Sequence, residues 1–193
     1  MNFFQEMLTN VFGPVMDATL NPRAHPEVAR FLENVVGFDS VDDESKQETN
    51  HFTAETPTPD KYNLVENPSY SYYLWYMYAN ISGLHRYCLS LKTVKSRCLV
   101  INQVRAERGM NTFSLRPHCG EAGHLYHTAT SFLVSENINH GINLRKSPVM
   151  EYLYYLCQIG ISMSPMSNNA LFLPYSKVTR LVYISRKETT FCV

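Results

Sequence analysis

The chain opens with apolar residues that recur every three or four positions, which is the spacing of one face of a helix. They are Phe3, Phe4, Met7, Leu8, Val11 and Phe12, with Gly13 and Pro14 directly after them. The pattern predicts a first helix that ends at this Gly-Pro pair. Pro26 suits the first turn of a second predicted helix, whose apolar face holds Val28, Phe31 and Leu32. We expect both helices to serve packing alone.

Further along the chain, short β-prone runs alternate with helical patterns. The predicted strands are residues 35–41, 112–116, 137–140 and 159–163. The helices predicted between and beside them are residues 100–108 and 125–134 and one that starts at Ser147-Pro148, a strong N-cap signal. Such alternation is typical of α/β folds with parallel strands, and it predicts about half of a TIM-type β/α barrel. The 193 residues are fewer than the about 250 that a closed barrel typically needs.

An aromatic block at residues 70–78 separates the first strand from the second. It could be a strand or a platform on which bases stack. The helical spacing of Tyr72, Trp75, Tyr76 and Ala79 instead favours a buried helix of the α/β fold.

Composition narrows the class of protein. Seventeen basic and seventeen acidic residues cancel at neutral pH, so no bulk attraction to nucleic acid or to a membrane is expected. No apolar run approaches the about 20 residues that span a bilayer, and residues 1–6 lack the basic start of a secretory signal. The five cysteines form no C-x-x-C pair. This cysteine pattern predicts a cytosolic protein.

Candidate chemistry lies where two of the predicted strands end. His118 and Glu121 flank Gly120 after one strand, and His140 with Gly141 ends the next. Taken alone, a His-Gly-Glu turn is more often a surface loop than a metal site. Two histidine-bearing strand ends separated by one helix favour an active site, because catalytic groups of α/β barrels come from several strand ends.

Several stretches of this sequence resemble AMP deaminase. They are residues 37–46, 116–123 (RPHCGEAG), 137–144, 147–156 and 163–169. The resemblance covers nearly all of residues 2–81 and 100–177. Residues 82–98 have no counterpart, and neither do residues 178–193. We therefore predict a partial catalytic domain at residues 1–177 with an atypical insertion at 82–98, followed by an atypical tail at 178–193.

The resemblance implies hydrolytic deamination of AMP to inosine monophosphate and ammonia at a zinc site. By resemblance, His118 is a zinc ligand and His140 is the base that deprotonates the attacking water. Glu121 binds the substrate at ring nitrogen N1 and protonates it. The family is homo-oligomeric, so we expect a homo-oligomer here.

The resemblance also predicts an incomplete zinc site. The family takes two further histidines from an H-x-H strand and an aspartate from a late S-T-D-D segment, and this chain contains neither sequence. A catalytic zinc keeps about three protein ligands, so the chain alone is predicted to be inactive. The alternative is a non-catalytic truncated isoform that binds or modulates a full-length deaminase.

Other polar residues near these stretches admit two interpretations each. Residues 42–44 form a wall of the nucleotide pocket by resemblance, or a solvated loop. Arg145 and Lys146 before Ser147 could hold a phosphate at a helix start, or be solvated charges. His124 and His127 are expected to be incidental at the exposed start of a helix.

Overall fold

The computed structural model describes residues 3–41, 43–82, 100–164 and 166. The chain divides into two compact units. The first comprises Met1–Gly37 and Asn50–Ser114, and the second comprises Phe38–Thr49 and Leu115–Val193. The predicted insertion, beyond Ser82, and the predicted tail lie outside the described residues, and both stay predictions. No helix in the described ranges is long and apolar enough to cross a membrane.

The first of the described helices in the first unit is longer than the sequence predicted. They are α1 (Phe3–Leu20), α2 (Pro26–Leu32), α3 (Tyr70–Ile81) and α4 (Ile101–Glu107). The predicted end at Gly13-Pro14 was wrong, because α1 continues through Pro14 for another turn and a half. Its buried face, which includes Leu8, Phe12, Val15 and Ala18, runs through both halves. Tertiary packing of that face outweighs the about 3 kcal/mol that an interior proline costs a helix.

Helix α2 begins at Pro26, as predicted, but its apolar face is narrower than expected. Leu32 is buried, whereas Phe31 is 67% exposed, so the prediction that both pack inward was wrong for Phe31. Seven residues give α2 about two turns, and only one side of so short a helix meets its neighbour.

The aromatic block forms a helix, as predicted, but of the four residues on its predicted buried face only Tyr72 is buried, whereas Trp75, Tyr76 and Ala79 are half-buried. Tyr72 is buried at the centre of a ring cluster, with ring centroids 5.1 Å from Phe4, 5.1 Å from Tyr62 and 4.8 Å from Tyr76. Its hydroxyl donates to the Pro57 carbonyl at 2.7 Å. Burial raises the pKa of Tyr72, which keeps this phenol a hydrogen-bond donor.

The second unit contains a parallel sheet. The strands found in the described residues are β1 (Gly37–Phe38), β2 (Ser114–Leu115), β3 (His118–Cys119), β4 (Asn137–His140) and β5 (Gly160–Ser162). Strands β3, β4 and β5 are neighbours in that order and pair in parallel. On the other side of β3, the backbone N–H of His118 donates to the Ser40 carbonyl at 2.9 Å, and that of Arg116 donates to Phe38 at 2.8 Å. The α/β class is confirmed, and the half barrel stays a prediction.

Helices connect the strands of the second unit. They are α5 (Tyr126–Val134), a 3-10 helix (Ile142–Lys146) and α6 (Pro148–Leu156). The predicted start of α6 is confirmed, because the Ser147 hydroxyl accepts a hydrogen bond from the Met150 backbone N–H at 3.4 Å. Exposed Arg145 and Lys146 precede it, and their phosphate role stays a prediction. Together these helices carry the chain from each strand end to the start of the next strand.

Tyr154 connects α6 to α5, and its substitution by phenylalanine is expected to destabilise the second unit. The side chain is buried, and its hydroxyl donates to the Thr128 carbonyl at 2.8 Å. Tyr154→Phe leaves that carbonyl without this donor, which costs about 1–3 kcal/mol. Burial raises the pKa of Tyr154 above its usual value near 10. Folding therefore favours the neutral phenol, and its contribution is complete below about pH 10 and declines as the pH rises further.

Denaturant unfolding at neutral pH and at about pH 10.5 measures both effects, in the range where a free tyrosine ionises. The matched control is Tyr155→Phe, because Tyr155 is 36% exposed on the same helix. Equal stability of the two variants at neutral pH would contradict the expectation. So would an unchanged alkaline slope in Tyr154→Phe.

Candidate active site

His118 lies in β3 with one ring nitrogen fixed by a carboxylate. Its Nδ1 is 2.9 Å from Asp39 Oδ1, and a carboxylate only accepts, so Nδ1 carries the proton. The Asn139 side-chain amide donates to the same Asp39 oxygen at 3.0 Å and to the Arg116 carbonyl at 2.8 Å. This arrangement orients the imidazole and leaves Nε2 as its lone-pair nitrogen. A metal-binding histidine characteristically has such a carboxylate partner.

His140 ends β4 in a backbone conformation that side chains seldom adopt. Its φ is 74°, and Gly141 after it has a φ of 64°. The Gly141 N–H donates to the Cys119 carbonyl at 2.9 Å, which fixes this bend against β3. Side chains in the left-handed region cost about 1–3 kcal/mol and concentrate at functional sites. The bend directs a buried imidazole toward the end of β3, with its ring centroid 4.8 Å from that of His118.

Glu121 lies in a tight turn that follows β3. Gly120 and Gly123 bracket the turn with φ values of 67° and 66°, conformations that glycine adopts without strain. The Asn143 backbone N–H donates to the Gly120 carbonyl at 2.8 Å. The turn places Glu121 Oε2 3.6 Å from His140 Nε2. A carboxyl group and an imidazole therefore share one end of the sheet.

The structure brings together the three residues singled out from the sequence. The imidazole rings of His118 and His140 are neighbours, and the Glu121 carboxyl oxygen Oε2 approaches His140 Nε2. Their catalytic, substrate-binding and metal-binding roles stay predictions. Of the acidic run at 42–44, Asp42 lies outside the described residues. Asp43 is solvent-exposed, and hydrogen bonds from Ser45 lower its pKa.

One group near the site was misjudged from the sequence. His127 was expected to be incidental at an exposed helix start, yet its side chain is only 2% exposed. Its Nε2 lies 3.1 Å from Glu48 Oε1, and its Nδ1 lies 3.6 Å from Glu44 Oε2. The pairing joins residues 79 positions apart along the chain. No local pattern could have indicated it.

A sequence model of the AMP deaminase family matches residues 1–189 of the 193 in the chain. The chain belongs to the AMP deaminase family. The site residues described above all lie inside the matched range.

Three curated members of the family illustrate the similarity. AMP deaminase 1 of Mus musculus is 50% identical over 183 residues, which cover 95% of this chain and 22% of that protein. AMP deaminase 3 of Rattus norvegicus is 52% identical over 174 residues, 90% of this chain and 20% of that protein. AMP deaminase of Schizosaccharomyces pombe is 50% identical over 183 residues, which cover 95% of this chain and 20% of that protein. The chain thus spans about a fifth of the length of the curated AMP deaminases it matches.

The resemblance to AMP deaminase implies a zinc site, and the described side chains supply only part of the ligands that zinc needs. His118 fits as one ligand, because Asp39 holds its Nδ1 proton and Nε2 retains a lone pair. Among the residues that the structure describes, no group of three or more His, Cys, Asp or Glu side chains could hold a metal ion. A catalytic zinc has about three protein ligands. The described part of this chain therefore fits one position of a zinc site and does not complete it.

Proposed function

We propose that this chain supplies part of a catalytic centre that deaminates AMP to inosine monophosphate and ammonia. The relatives it matches are named AMP deaminases, which points to AMP as the substrate. The observation that carries the proposal is the approach of Glu121 Oε2 to within 3.6 Å of His140 Nε2, beside His118. It provides a proton donor and a proton acceptor at one sheet end, which is the pairing that amine hydrolysis needs.

Each residue has a separate role in this proposal. His118, oriented by Asp39, would hold the metal through Nε2. Zinc, when bound, acts as a Lewis acid that makes water acidic near neutral pH. His140 accepts a proton from the attacking water. Glu121, as a carboxylic acid, donates a hydrogen bond and then a proton to N1 of the adenine ring, which neutralises the negative charge that develops as C6 is attacked. The fixed turn of Glu121 keeps the acid in reach of the ring.

We further propose that the 193-residue chain alone does not turn over AMP. His118 is the ligand that it contributes, and the sequence contains no H-x-H pair to add two more. One imidazole does not hold zinc tightly enough for a stable site. Within the part of the chain that the structure describes, Cys119 and Cys157 are in no disulfide, which suits the reducing cytosol in which we place the protein.

The test compares the purified chain with the longest product that carries these residues. Each is supplied with zinc and AMP, and inosine monophosphate is measured by chromatography while bound zinc is measured after dialysis. We expect turnover and near-stoichiometric zinc in the longer product, and neither in the 193-residue chain. Turnover by the chain alone would contradict its proposed inactivity. A longer product that binds zinc and leaves AMP unchanged would contradict the proposed function.

A second candidate function is association with a longer AMP deaminase chain, without turnover. It is favoured by the exposure of apolar side chains on one side of α6, where Val149, Tyr152 and Leu156 are 69%, 60% and 54% exposed. Their spacing places them on one helix face, and clustered exposed apolar residues mark protein interfaces. Co-purification of the chain with a longer deaminase would favour this candidate, and a monomeric chain that captures none would exclude it.

A further inference from the structure

A group of four side chains, two buried and two half-buried, lies beside the turn that carries Glu121, and the proposed reaction leaves the group without a role. We call Glu44, Glu48, Tyr126 and His127 the acid–histidine cluster. His127 presents Nδ1 to Glu44 at 3.6 Å and Nε2 to Glu48 at 3.1 Å. The Tyr126 hydroxyl donates to the other oxygen of Glu48. Burial, followed by this hydrogen bond to Glu48, raises the pKa of Tyr126, so the phenol remains a donor.

The acid–histidine cluster contacts the Gly120–Gly123 turn, which carries Glu121, and it does so through Glu44. Glu44 Oε2, which faces His127, also accepts a hydrogen bond from the Ala122 backbone N–H at 3.3 Å. Ala122 is the residue directly after Glu121. The Glu44 backbone also lies close to the turn, since a Cβ built on Gly123 would lie 2.1 Å from the Glu44 carbonyl oxygen. Glu44 therefore binds the turn at Ala122 and packs against it at Gly123.

Asn143 holds the opposite side of the same turn. Its side-chain amide donates to the Ala122 carbonyl at 2.7 Å and to the Gly123 carbonyl at 3.2 Å. Ala122 thus has its N–H bound on one side and its carbonyl bound on the other. Two anchors from distant parts of the chain fix the peptide planes next to Glu121, and the direction of the Glu121 side chain follows from them.

The Glu44 carboxyl is buried beside polar groups. The Glu44 side chain is only 5% exposed, and a carboxylate removed from water is costly unless it is paired and hydrogen-bonded. The Ala122 N–H donates a hydrogen bond to Oε2, and His127 Nδ1 lies 3.6 Å from the same oxygen. His127 is in turn fixed by Glu48, which Tyr126 holds. The cluster forms a chain of contacts that ends at the backbone of the Gly120–Gly123 turn.

We propose that Glu44 and His127 are positioning residues that hold the Gly120–Gly123 turn so that Glu121 faces His140. The inference rests on the proposed function for the role of Glu121, and on the contacts above for the positioning. Neither residue reaches the reacting atoms in this role. Removal of the acceptor at Glu44 frees the Ala122 N–H, and the Glu121 carboxyl then loses its fixed distance to His140.

The test compares two variants of nearly equal size in the isotope-labelled 193-residue chain. Glu44→Met removes the oxygen acceptor and keeps most of the volume, whereas Glu44→Gln keeps an oxygen for the Ala122 N–H. We expect the Ala122 amide to exchange with solvent about tenfold faster in Glu44→Met, because one backbone hydrogen bond is lost. Nuclear Overhauser contacts between the Glu121 side chain and the His140 ring should weaken in the same variant. Glu44→Gln should retain both properties.

His127→Gln provides a second route to the same measurement if Glu44→Met does not fold. It loses one of the two carboxylate contacts of the imidazole, so faster exchange at Ala122 is again expected. Glu136→Ala is the control, because Glu136 is an exposed glutamate of the same unit. The amide of Ile138, buried in β4, reports any general destabilisation of that unit.

Three results would overturn the positioning role. One is unchanged exchange at Ala122 in Glu44→Met, and another is equal acceleration at Ala122 and Ile138. The third is faster exchange with the Glu121–His140 contacts intact, which would make the cluster structural only. None of these measurements needs AMP or zinc. A failure of the proposed deamination would therefore leave the positioning result standing, and the reverse also holds.

Discussion

Replacing Glu121 with glutamine in the longest product that carries this chain is expected to lower kcat for AMP deamination about 10²–10⁴-fold. Glutamine has nearly the same shape, and its amide cannot give a proton to a ring nitrogen. Substrate binding through N1 is weakened less than turnover, so the loss should appear mainly in kcat. Steady-state assays with AMP over a wide concentration range separate the two constants.

His140→Ala is expected to lower kcat by a similar factor, because it removes the proposed proton acceptor. The two side chains act on one reaction, so the double variant should lose little more than either single variant. Glu136→Gln is the control for a lost carboxylate, since Glu136 is exposed. If Glu121→Gln keeps kcat within about threefold of the unmodified protein, the proposed acid is wrong.

Gly123→Ala is expected to destabilise the second unit by about 4 kcal/mol or more, which is at the upper end for single substitutions. Two costs combine at this position. The backbone has a φ of +66°, where a side chain costs about 1–2 kcal/mol. The new Cβ would also lie 2.1 Å from the Glu44 carbonyl oxygen, which is backbone and cannot rotate away. Denaturant-dependent hydrogen exchange at β4 amides measures the loss.

Gly109→Ala, which lies in the first unit, separates the two costs when its loss of stability is read at amides of α4. Gly109 has a φ of +69°, yet a Cβ built there meets nothing within 4 Å. It should therefore show only the backbone cost of about 1–2 kcal/mol. The difference between the variants reports the close approach of Glu44 to Gly123. Equal destabilisation in the two variants would mean that the loop at Glu44 yields easily, contrary to its proposed anchoring.

Local sequence signals were sufficient for much of the fold. Ser147-Pro148 marked the start of α6 because a hydroxyl N-cap and a proline act within one helical turn. The helix predicted at residues 100–108 is α4, which ends just before Gly109, a glycine with the φ of 69° that is common after a helix end. The extent of α1 could not be predicted this way, because packing along its whole length decides whether it passes Pro14.

The candidate site shows the same contrast between residues that short-range patterns indicate and contacts that they do not. His118, Glu121 and His140 lie at strand ends that glycines follow closely, and this short-range pattern indicated them. The same short-range pattern gave no indication of the side chains that orient these three residues. Asp39 is 79 positions from His118, and Glu44 is 78 positions from Ala122. Such pairs follow from how parallel strands align, and alternation of strands and helices predicts the alignment only in outline.

The division of the second unit into Phe38–Thr49 and Leu115–Val193 has a consequence for biosynthesis. A ribosome adds about 5–20 residues per second, so the first stretch waits about 4–16 s before its partners emerge. During that interval Asp39 lacks His118, and Glu44 and Glu48 lack His127, the partners that they contact in the folded chain. Long-range closure of this kind also slows folding, because chain entropy is lost before the contacts form. A chaperone that shields the nascent segment at 38–49 would be expected to raise the yield of correctly assembled protein.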